Sequence, residues 1–499
     1  MSEPRPIVWS IAGSDSGGGA GIQADILAIT ALGGHAATVI TSVTAQNSQG
    51  LIMAEPVSLA AFQAQLTALA DDLPPAAIKI GLLASLAQID YLVQALPVWH
   101  ERWPGLAVVL DPVAVATSGD ALTEPAVHAA LHRLLPLVDL VTPNQPELSW
   151  LTGCEGHPQA QQEAARRLHH DAGVSVLLKG GHAPGEARIT DQCFDTSGHW
   201  CLHQPRLSTP HTHGTGCTLS SAWAASRALG YDLMDAVALA NAFVHCGLQQ
   251  AYATGQGAGT LARQAVVNRS AMPFAEIRQI GDDPTPDKAF AQLNRAPGVY
   301  PVVGDVALLE TLLAAGASTI QLRLKTLDTE RLAAQIYRAV ELGERYQAQV
   351  FINDHWALAL EFGAFGVHLG QEDLAGADLP AIRRAGLRLG ISTHGYAELC
   401  RARWLQPSYI ALGHVFATTT KVMPSQPQGL DRLAEYQALL GTDCPTVAIG
   451  GIKQNHLKGV AACGVSGVAM VTAITEAESP PHAWRDLDRQ WQRLTGGAA

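Results

Sequence analysis

The chain has 499 residues, of which 47% are hydrophobic, and a formal net charge of −12. This length exceeds what one hydrophobic core usually supports, so we expect at least two globular domains. The acidic balance, without any Lys/Arg-rich cluster in the sequence, argues against nucleic-acid binding. Eight cysteines without paired zinc spacing indicate reduced thiols, and no signal pattern or long apolar run is evident, so we expect a cytoplasmic protein that does not associate with membranes.

The first predicted strand, 7–12, runs directly into a glycine-rich loop. This loop, 13–21, holds five glycines in nine residues, and a helix follows at once. Such a backbone turns tightly and can approach a ligand closely. The order of strand, glycine loop and helix is typical of sites for small phosphorylated or hydroxylated ligands, and the alternative is a flexible loop. A Walker A loop is excluded because no Gly-Lys-Ser/Thr follows.

A β-branched and apolar segment, 36–44, is the next predicted strand. Gln46 follows it, and its amide can both donate and accept hydrogen bonds, as a neutral heteroaromatic ring with an amino group requires. The alternative for this position is an ordinary turn. Further strands then alternate with helices, which predicts an α/β domain with a mainly parallel sheet between two helical layers.

Four polar residues fall at the carboxyl ends of these strands, where ligands gather in such sheets: Asp111, Asn144, Glu147 and Lys179. Asp111 and Glu147 are predicted to hold Mg²⁺ directly or through water, and Lys179 to meet a nucleotide phosphate. Each residue alone could be a surface charge. Their common placement is what favours a site.

The stretch Gly214-Thr215-Gly216-Cys217-Thr218 lies between a turn-rich segment and an alanine-rich predicted helix. Small residues before a helix leave its first N–H groups free to face an anion, which suggests phosphoryl transfer. The alternative is that Gly-x-Gly is incidental and that Cys217 is a small buried hydrophobe.

Six segments together resemble the bacterial hydroxymethylpyrimidine/phosphomethylpyrimidine kinases of the ribokinase-like superfamily, over roughly residues 5–260. These segments are Ala-Gly-Ser-Asp-Ser-Gly-Gly-Gly-Ala-Gly-Ile-Gln-Ala-Asp (12–25), Thr-Ala-Gln-Asn (44–47), Asp-Pro-Val-Ala-Val-Ala-Thr-Ser-Gly-Asp (111–120), Val-Thr-Pro-Asn-Gln-Pro-Glu (141–147), Leu-Leu-Lys-Gly-Gly-His (177–182) and His-Gly-Thr-Gly-Cys-Thr-Leu-Ser-Ser-Ala (213–222). The resemblance implies ATP as co-substrate, with Mg²⁺.

The same resemblance assigns roles to particular residues. It implies that the aminopyrimidine is bound by Gln46, Gly13 and Asp25. It also implies that Gly214, Gly216 and Cys217 form an anion hole at the transferred phosphate. Most superfamily members carry an Asp base where Cys217 stands, so Cys217 is either a base or part of a site in which positioning and Mg²⁺ supply most of the rate.

The β/α rhythm lapses after the first half, in a polar and proline-rich region. Prolines there prevent helix continuation and favour extended chain. We therefore predict a linker at 266–292 between an N-terminal domain, 1–265, and a C-terminal domain, 293–499.

About eight apolar strand-like runs recur in the last 200 or so residues, with helical stretches between most of them. This predicts a (β/α)₈ TIM barrel with its site at the strand carboxyl ends. Asp354 and Asp373 follow neighbouring strands and can hold one Mg²⁺ against a diphosphate, while Arg323, Lys325 and Lys421 neutralise the remaining charge.

Five motifs of this half resemble thiamine phosphate synthase over essentially all of 295–495: Gln-Leu-Arg-Leu-Lys (321–325), Phe-Ile-Asn-Asp (351–354), Gly-Val-His-Leu-Gly-Gln-Glu-Asp-Leu (366–374), Gly-His-Val-Phe-Ala-Thr-Thr-Thr-Lys (413–421) and Ala-Ile-Gly-Gly-Ile (448–452). The resemblance implies that the pyrimidine diphosphate is bound by Gln321, Leu322, Arg323, Leu324, Lys325, Asn353, Ser392 and Lys421. It implies Mg²⁺ at Asp354 and Asp373, and thiazole phosphate at Thr418, Thr419, Thr420, Gly451, Val471 and Thr472. Many relatives carry Lys where this chain has Thr419, so we expect this chain to lack one contact to the thiazole phosphate but to keep the reaction.

Together the two halves predict a bifunctional enzyme of thiamine biosynthesis. The first half would phosphorylate 4-amino-5-hydroxymethyl-2-methylpyrimidine and its phosphate with ATP, and the second would condense the diphosphate with thiazole phosphate and release pyrophosphate. The alternative is a kinase of another hydroxymethyl heterocycle, such as pyridoxal, fused to a barrel that binds thiazole phosphate without catalysis. All expected partners are small-molecule substrates, and a homo-oligomer is compatible with the sequence.

Overall fold

The structure is a computed structural model that describes residues 4–113, 122–181, 187–264, 267–282, 288–325, 328–418 and 426–496. The chain divides into two compact units, Met1–Ile280 and Gly281–Ala499. The point of division falls inside the segment predicted to be a linker, 266–292. Within the described ranges, every helix is too short or too polar to cross a bilayer.

A ten-stranded sheet forms the centre of the described part of the N-terminal unit, in the spatial order β10-β9-β8-β7-β6-β5-β4-β1-β2-β3. Its strands are β1 (Ile7–Asp15), β2 (His35–Asn47), β3 (Gly50–Pro56), β4 (Ala77–Ile80), β5 (Ala107–Leu110), β6 (Leu140–Val141), β7 (Ser175–Leu178), β8 (Arg188–Asp195), β9 (Gly198–Pro205) and β10 (Glu276–Gln279). The six strands from β7 to β2 are parallel, whereas β3 and the strands β8 to β10 add antiparallel edges.

Helices pack on this sheet in two groups. One group consists of α1 (Gly21–Ala31), α7 (Thr215–Ala228) and α8 (Leu233–Gln249), and the other of α2 (Leu59–Asp72), α3 (Leu86–Arg102), α4 (Pro125–Ala130), α5 (Gln145–Thr152) and α6 (Pro158–Ala172). Buried Val, Ile and Leu side chains fill the core, because parallel strands covered on both faces must be apolar on both faces. The predicted mainly parallel α/β architecture is therefore confirmed.

The described part of the C-terminal unit is a closed barrel of eight parallel strands in chain order. They are β11 (Gly298–Val303), β12 (Thr319–Leu322), β13 (Gln349–Asn353), β14 (Gly366–Leu369), β15 (Arg388–Thr393), β16 (Tyr409–Leu412), β17 (Thr446–Ala448) and β18 (Gly467–Met470). The predicted (β/α)₈ barrel is confirmed. Its interior is packed by aromatic side chains, and the hydroxyls of Tyr300 and Tyr409 are 2.9 Å apart there.

The barrel helices are α9 (Val306–Ala314), α10 (Thr329–Tyr346), α11 (Trp356–Glu361), α12 (Gln371–Leu374), α13 (Leu379–Arg384), α14 (Tyr396–Leu405), α15 (Gly429–Leu440), α16 (Leu457–Ala462), α17 (Thr472–Thr475) and α18 (Pro480–Thr495). The last helix shows why these segments form the outer layer. Its buried residues Trp484, Leu487 and Trp491 recur at spacings of three and four, so that one stripe faces the barrel. Short 3₁₀ turns in the chain lie at Leu131–Arg133, Leu135–Leu137, Arg269–Ala271 and Gln454–His456.

Candidate functional sites

A cavity of about 780 Å³ opens at the carboxyl ends of the parallel strands in the N-terminal unit. Its lining includes nine of the ten residues predicted for this half: Gly13, Gln46, Asp111, Asn144, Glu147, Lys179, Gly214, Gly216 and Cys217. The tenth, Asp25, does not line it. The structure thus brings together residues that are up to 204 positions apart in the sequence, from Gly13 to Cys217.

Lys179, Asp111 and Glu147 form a charged cluster in this cavity. The Lys179 Nζ atom lies 3.1 Å from Asp111 Oδ1 and 3.3 Å from Glu147 Oε2. Burial disfavours the ammonium, but the two carboxylates outweigh that effect and raise the pKa of Lys179. Burial also raises the pKa of Glu147, against the opposing pull of Lys179. The cluster places one cation and two carboxylates where a nucleotide phosphate and a hard divalent ion could both be held.

Asn144 fixes one member of this cluster. It precedes α5 as the N-cap of a capping box: Asn144 Oδ1 accepts from the Glu147 N–H at 2.8 Å, and Glu147 Oε2 accepts from the Asn144 N–H at 2.7 Å. Asn144 therefore orients the Glu147 carboxylate toward Lys179. This arrangement explains why an Asn and a Glu three residues apart occur at the end of β6.

The first turn of α7 lies beside the charged cluster. Gly214, the N-cap of this helix, has φ +82°, and no side chain caps the helix start. A Cβ on Gly216 would lie 3.3 Å from Lys179 Nζ and 3.5 Å from Asp111 Oδ2, so a side chain there would crowd the cluster. The uncapped turn from Gly214 to Cys217 is the predicted anion hole, and it faces the same space as Lys179.

Asp25 lies beneath the cavity. Its carboxylate is fully buried and accepts from Ser10 Oγ at 2.6 Å, Lys79 Nζ at 2.7 Å and Ser221 Oγ at 2.7 Å. These contacts tie α1 and α7, the two helices whose first turns meet the cavity, to strand β4. The structure therefore places Asp25 beneath the cavity floor as a support. Its three partners lie around the carboxylate, and Asp25 does not reach the cavity where the pyrimidine is predicted to contact it.

Lys79 and Cys217 complete that floor. Lys79 is an isolated Lys within the apolar strand β4, which is the signal that sequence reasoning passed over. Burial disfavours its ammonium, but Asp25 outweighs that effect and its pKa is raised. Burial raises the pKa of the Cys217 thiol to about 11, although Lys79 acts in the opposite direction. Cys217 is therefore a thiol near neutral pH rather than a thiolate.

Asp15 organises the glycine-rich loop. Its carboxylate accepts backbone N–H groups of Gly17, Gly19 and Ala20 at 2.8–3.1 Å, and His213 Nε2 lies 3.0 Å away. Burial works against this charge, but the hydrogen bonds from His213 and the backbone outweigh it and lower the pKa of Asp15. Gln46 Nε2 is 3.5 Å from the same His213 nitrogen, which links the predicted pyrimidine-binding residue to the loop.

Arg263 is a second residue that the sequence did not point to. It donates to Gly19 O at 2.8 Å, Thr218 Oγ1 at 2.9 Å and Thr260 Oγ1 at 3.1 Å. One guanidinium thus joins the glycine-rich loop to the start of α7. No local pattern marks Arg263, because its partners lie up to 244 residues away.

In the barrel, neutral side chains connect the ends of neighbouring strands. Gln321 Nε2 donates to Asn353 Oδ1 at 2.6 Å, which joins β12 to β13. His368 Nε2 is 2.8 Å from Ser392 Oγ, and His368 Nδ1 is 2.7 Å from the Tyr409 hydroxyl. Burial, with a contribution from Arg323, lowers the pKa of His368 to about 4, so this imidazole is neutral near pH 7.

The predicted metal ligands lie at the rim above these groups. Asp354 follows β13 with φ +63°, and its N–H donates to His368 O at 3.0 Å. Asp373 is in the short helix α12, where its Oδ2 accepts from Gly370 N–H at 3.3 Å. No group of three or more His, Cys, Asp or Glu side chains suited to a metal occurs among the described residues. Two carboxylates still fit Mg²⁺, because Mg²⁺ keeps several waters and takes further oxygens from substrate phosphates.

Residues predicted for the thiazole phosphate follow β17 and β18. Gly451 has φ +62°, and a Cβ there would lie 2.3 Å from Ala417 O, so only glycine allows this close approach. Val471 and Thr472 begin α17 directly after β18. Thr418 is described, whereas Thr419, Thr420 and Lys421 lie outside the described residues. Leu322 is buried in β12, and Arg323, Leu324 and Lys325 follow it with increasing exposure.

Comparison with known proteins gives a separate result for each half. A family model described as phosphomethylpyrimidine kinase matches residues 15–262, and one described as thiamine monophosphate synthase matches residues 299–474. The thiamine-phosphate synthase of Yersinia pestis (strain Pestoides F) is 53% identical over 206 residues, which cover 41% of this chain and 90% of the relative.

Solved kinase structures are also similar to this chain. A phosphomethylpyrimidine kinase from Clostridium difficile 630 is 33% identical, with a TM-score of 0.42, and covers 48% of this chain and 98% of its own. The pyridoxal kinase from Staphylococcus aureus in complex with AMP-PCP is 28% identical, with a TM-score of 0.50, and covers 56% of this chain and 100% of its own.

Proposed function

The chain belongs to the phosphomethylpyrimidine kinase family by its N-terminal half and to the thiamine-phosphate synthase family by its C-terminal half, and from this premise we propose how its residues divide the work. It is a bifunctional enzyme of thiamine biosynthesis, with ATP as the co-substrate of the kinase. The residue roles, the Mg²⁺ requirement and the catalytic independence of the halves are the proposal.

In the kinase half, the pyrimidine is held near Gln46 and Gly13, and the ATP phosphates meet Lys179. The anion hole, from Gly214 to Cys217, faces the phosphoryl group as it moves, because this turn lines the same cavity as the charged cluster. Mg²⁺ bound through Asp111 and Glu147 would neutralise phosphate charge. The observation that carries this proposal is the closeness of Gly216 to Lys179: a Cβ added to Gly216 would lie 3.3 Å from Lys179 Nζ, so the anion hole and the cation adjoin one another.

Cys217 contributes through position more than through basicity. Its thiol stays protonated at neutral pH because burial raises its pKa to about 11. A protonated thiol can pack beside the turn and fix its position, while the hydroxyl of the pyrimidine is aligned by neighbouring residues. The alternative role as a base needs the thiolate and is tested below by the pH dependence of the kinase rate.

In the synthase half, the diphosphate lies against Arg323, Lys325 and Lys421, which stabilise pyrophosphate as it leaves. Asp354 and Asp373 would hold Mg²⁺, which supplies further neutralisation of the leaving group. Gln321 and Asn353 are fixed to one another and present amides to the pyrimidine. No protein nucleophile is required, since departure of pyrophosphate leaves an electrophilic methylene carbon that the thiazole nitrogen attacks.

A single incubation tests the function as a whole. Purified protein with the pyrimidine alcohol, thiazole phosphate, ATP and Mg²⁺ should yield thiamine phosphate, detected by mass. Omitting ATP should abolish the product, and supplying the pyrimidine diphosphate should restore it. If pyridoxal were phosphorylated in preference to the pyrimidine alcohol, the assignment of the kinase substrate would be wrong.

A further inference from the structure

The segment that precedes the barrel contributes a buried carboxylate to the C-terminal unit. Asp282 Oδ1 and Oδ2 accept from Arg401 Nη2 at 2.6 Å and from Arg401 Nε at 3.0 Å, which is the bidentate geometry of a strong Arg–carboxylate pair. The side chains of Arg401 and Asp282 are only 2% and 4% exposed. A surface contact of a linker would not be buried to this extent.

Arg401 also connects to the predicted diphosphate site. The Nη1 atom of Arg401 donates to Gln371 Oε1 at 3.1 Å, and Gln371 Nε2 donates to Ser392 O at 2.8 Å. Gln371 is the first residue of α12, the helix that carries Asp373. Ser392 is a predicted diphosphate ligand at the end of β15. The chain of contacts therefore runs from the interdomain segment to the rim of the synthase site.

These hydrogen bonds can fix the orientation of α12. The helix α12 has only four residues, too few to hold its own orientation, and Gln371 anchors it to the neighbouring strand end. The guanidinium is planar and rigid, so that a carboxylate on one edge fixes the donor on the other edge. Asp282 thereby determines where Arg401 holds Gln371.

We propose that Asp282 is a positioning residue of the synthase, which acts through Arg401 and Gln371 to hold α12 against β15. The inference rests on the proposed function for the roles of Asp373 and Ser392. It assigns to the segment between the halves a part in diphosphate binding, so the segment is more than a tether. Asp282, Arg401, Gln371 and Ser392 all belong to the C-terminal unit.

The test compares variants of the full-length chain in synthase assays with supplied pyrimidine diphosphate. Asp282→Asn should raise the KM for the diphosphate about 10-fold, as losses of supporting contacts around a site commonly do. The KM for thiazole phosphate and the kinase rate of the same protein should stay unchanged. Asp282→Glu, which keeps the charge, should recover part of the loss. Asp486→Asn is the matched control, since Asp486 pairs with Arg489 on an exposed face of α18.

A second variant separates positioning from folding. Gln371→Leu removes the contact to Ser392 without leaving a buried charge, and should raise the KM for the diphosphate in the same direction. Titration with inorganic pyrophosphate gives a readout independent of turnover, in which both variants should bind more weakly than the unmodified chain. The titration tests the role of Asp282 even if the unmodified chain makes no thiamine phosphate. Absence of thiamine phosphate would overturn only the proposed function. Unchanged KM and unchanged pyrophosphate affinity in both variants would overturn the role of Asp282.

Discussion

The two halves arrange charge in different ways around their substrates. In the kinase half, buried carboxylates and ammonium groups pair with one another at the site, as in Lys79 with Asp25 and Lys179 with Asp111. In the barrel, the groups that connect the strand ends are neutral, as in Gln321 with Asn353 and His368 with Ser392. The predicted charges of the barrel lie at its rim instead.

This difference follows from the chemistry that each half performs. A phosphoryl group moves within the kinase cavity, so fixed charges have to face it before the reaction begins. In the synthase, charge leaves with pyrophosphate, while the pyrimidine ring requires neutral hydrogen-bonding partners. We therefore expect the kinase half to depend on buried ion pairs for its stability and the barrel to depend on rim charges for its rate.

The largest effect is expected from Lys79→Met. Removal of one partner leaves the Asp25 carboxylate buried and costs about 3–5 kcal/mol of unfolding free energy, because an uncompensated charge remains in the core. Urea unfolding should show a weakened N-terminal unit and lost kinase activity, while the synthase activity persists. Arg133→Met is the control, since its pair with Asp90 is about half exposed and contributes at most about 1 kcal/mol. Equal unfolding free energies of the two variants would contradict the expectation that buried ion pairs stabilise the kinase half.

Cys217→Ala should lower kinase turnover about 100-fold, because the side chain fixes the turn of the anion hole, and should spare condensation of supplied diphosphate. We expect Cys217→Asp to lose as much activity as Cys217→Ala, whereas more activity in Asp than in Ala would indicate that the residue acts as a base. Unchanged turnover in Cys217→Ala would reduce the residue to a packing role. Steady-state kinase rates, with the synthase rate as internal control, distinguish these outcomes.

The pH dependence of the kinase separates the same two roles. The thiol is an acid with its pKa raised to about 11, so its ionised fraction rises about tenfold per pH unit between about pH 7 and 9. A thiolate base would make kcat rise with that slope. If Cys217 only shapes the anion hole, kcat should not rise tenfold per pH unit in this range, and this is the result we expect.

Asp354→Asn should reduce Mg²⁺-dependent condensation about 10-fold to 100-fold, because a metal ligand at the rim is lost. Both kinase steps should be spared. Glu361→Gln, an exposed change at the end of α11, serves as the control. Normal formation of thiamine phosphate from supplied diphosphate by the Asp354 variant would refute the metal assignment.

The smallest effect is expected from separating the halves. Each half carries its own motif residues, and each forms a compact unit of its own. Residues 1–280, which keep β10 at the edge of the sheet, should still phosphorylate the pyrimidine. A synthase fragment that begins at Gly281 should condense supplied diphosphate without loss, whereas one that begins at Lys288 should show the raised KM expected for loss of Asp282. Equal KM values for the two synthase fragments would restrict the role of the segment to tethering.

Independence of the two sites can be measured in the intact chain as well. An excess of unlabelled pyrimidine diphosphate should dilute label that flows from pyrimidine to thiamine phosphate. A flexible tether raises the local encounter of small diffusible intermediates only modestly unless the two sites face each other. Undiluted label would show direct transfer and would contradict independence.

The sequence by itself determined the two architectures and which strand ends carry the predicted site residues. Alternation of apolar strands with helices was sufficient to predict a parallel sheet and a barrel, since both patterns are local. Residues placed after parallel strands must meet at one edge, which is why Asp111, Glu147 and Lys179 come together as predicted. Likewise the neighbours Asn353 and Gln321 follow from adjacent strands of the barrel.

Only the tertiary structure decided which side chains support those sites. Asp25 turns toward Ser10, Lys79 and Ser221 instead of lining the cavity, because the packing of α1 against β4 and α7 leaves that space to a buried carboxylate. Arg263 and Asp282 find partners as far as 244 and 119 residues away in the chain. No periodicity or local motif encodes such contacts, since they depend on which surfaces meet once the elements have packed and on the need to pair every buried charge.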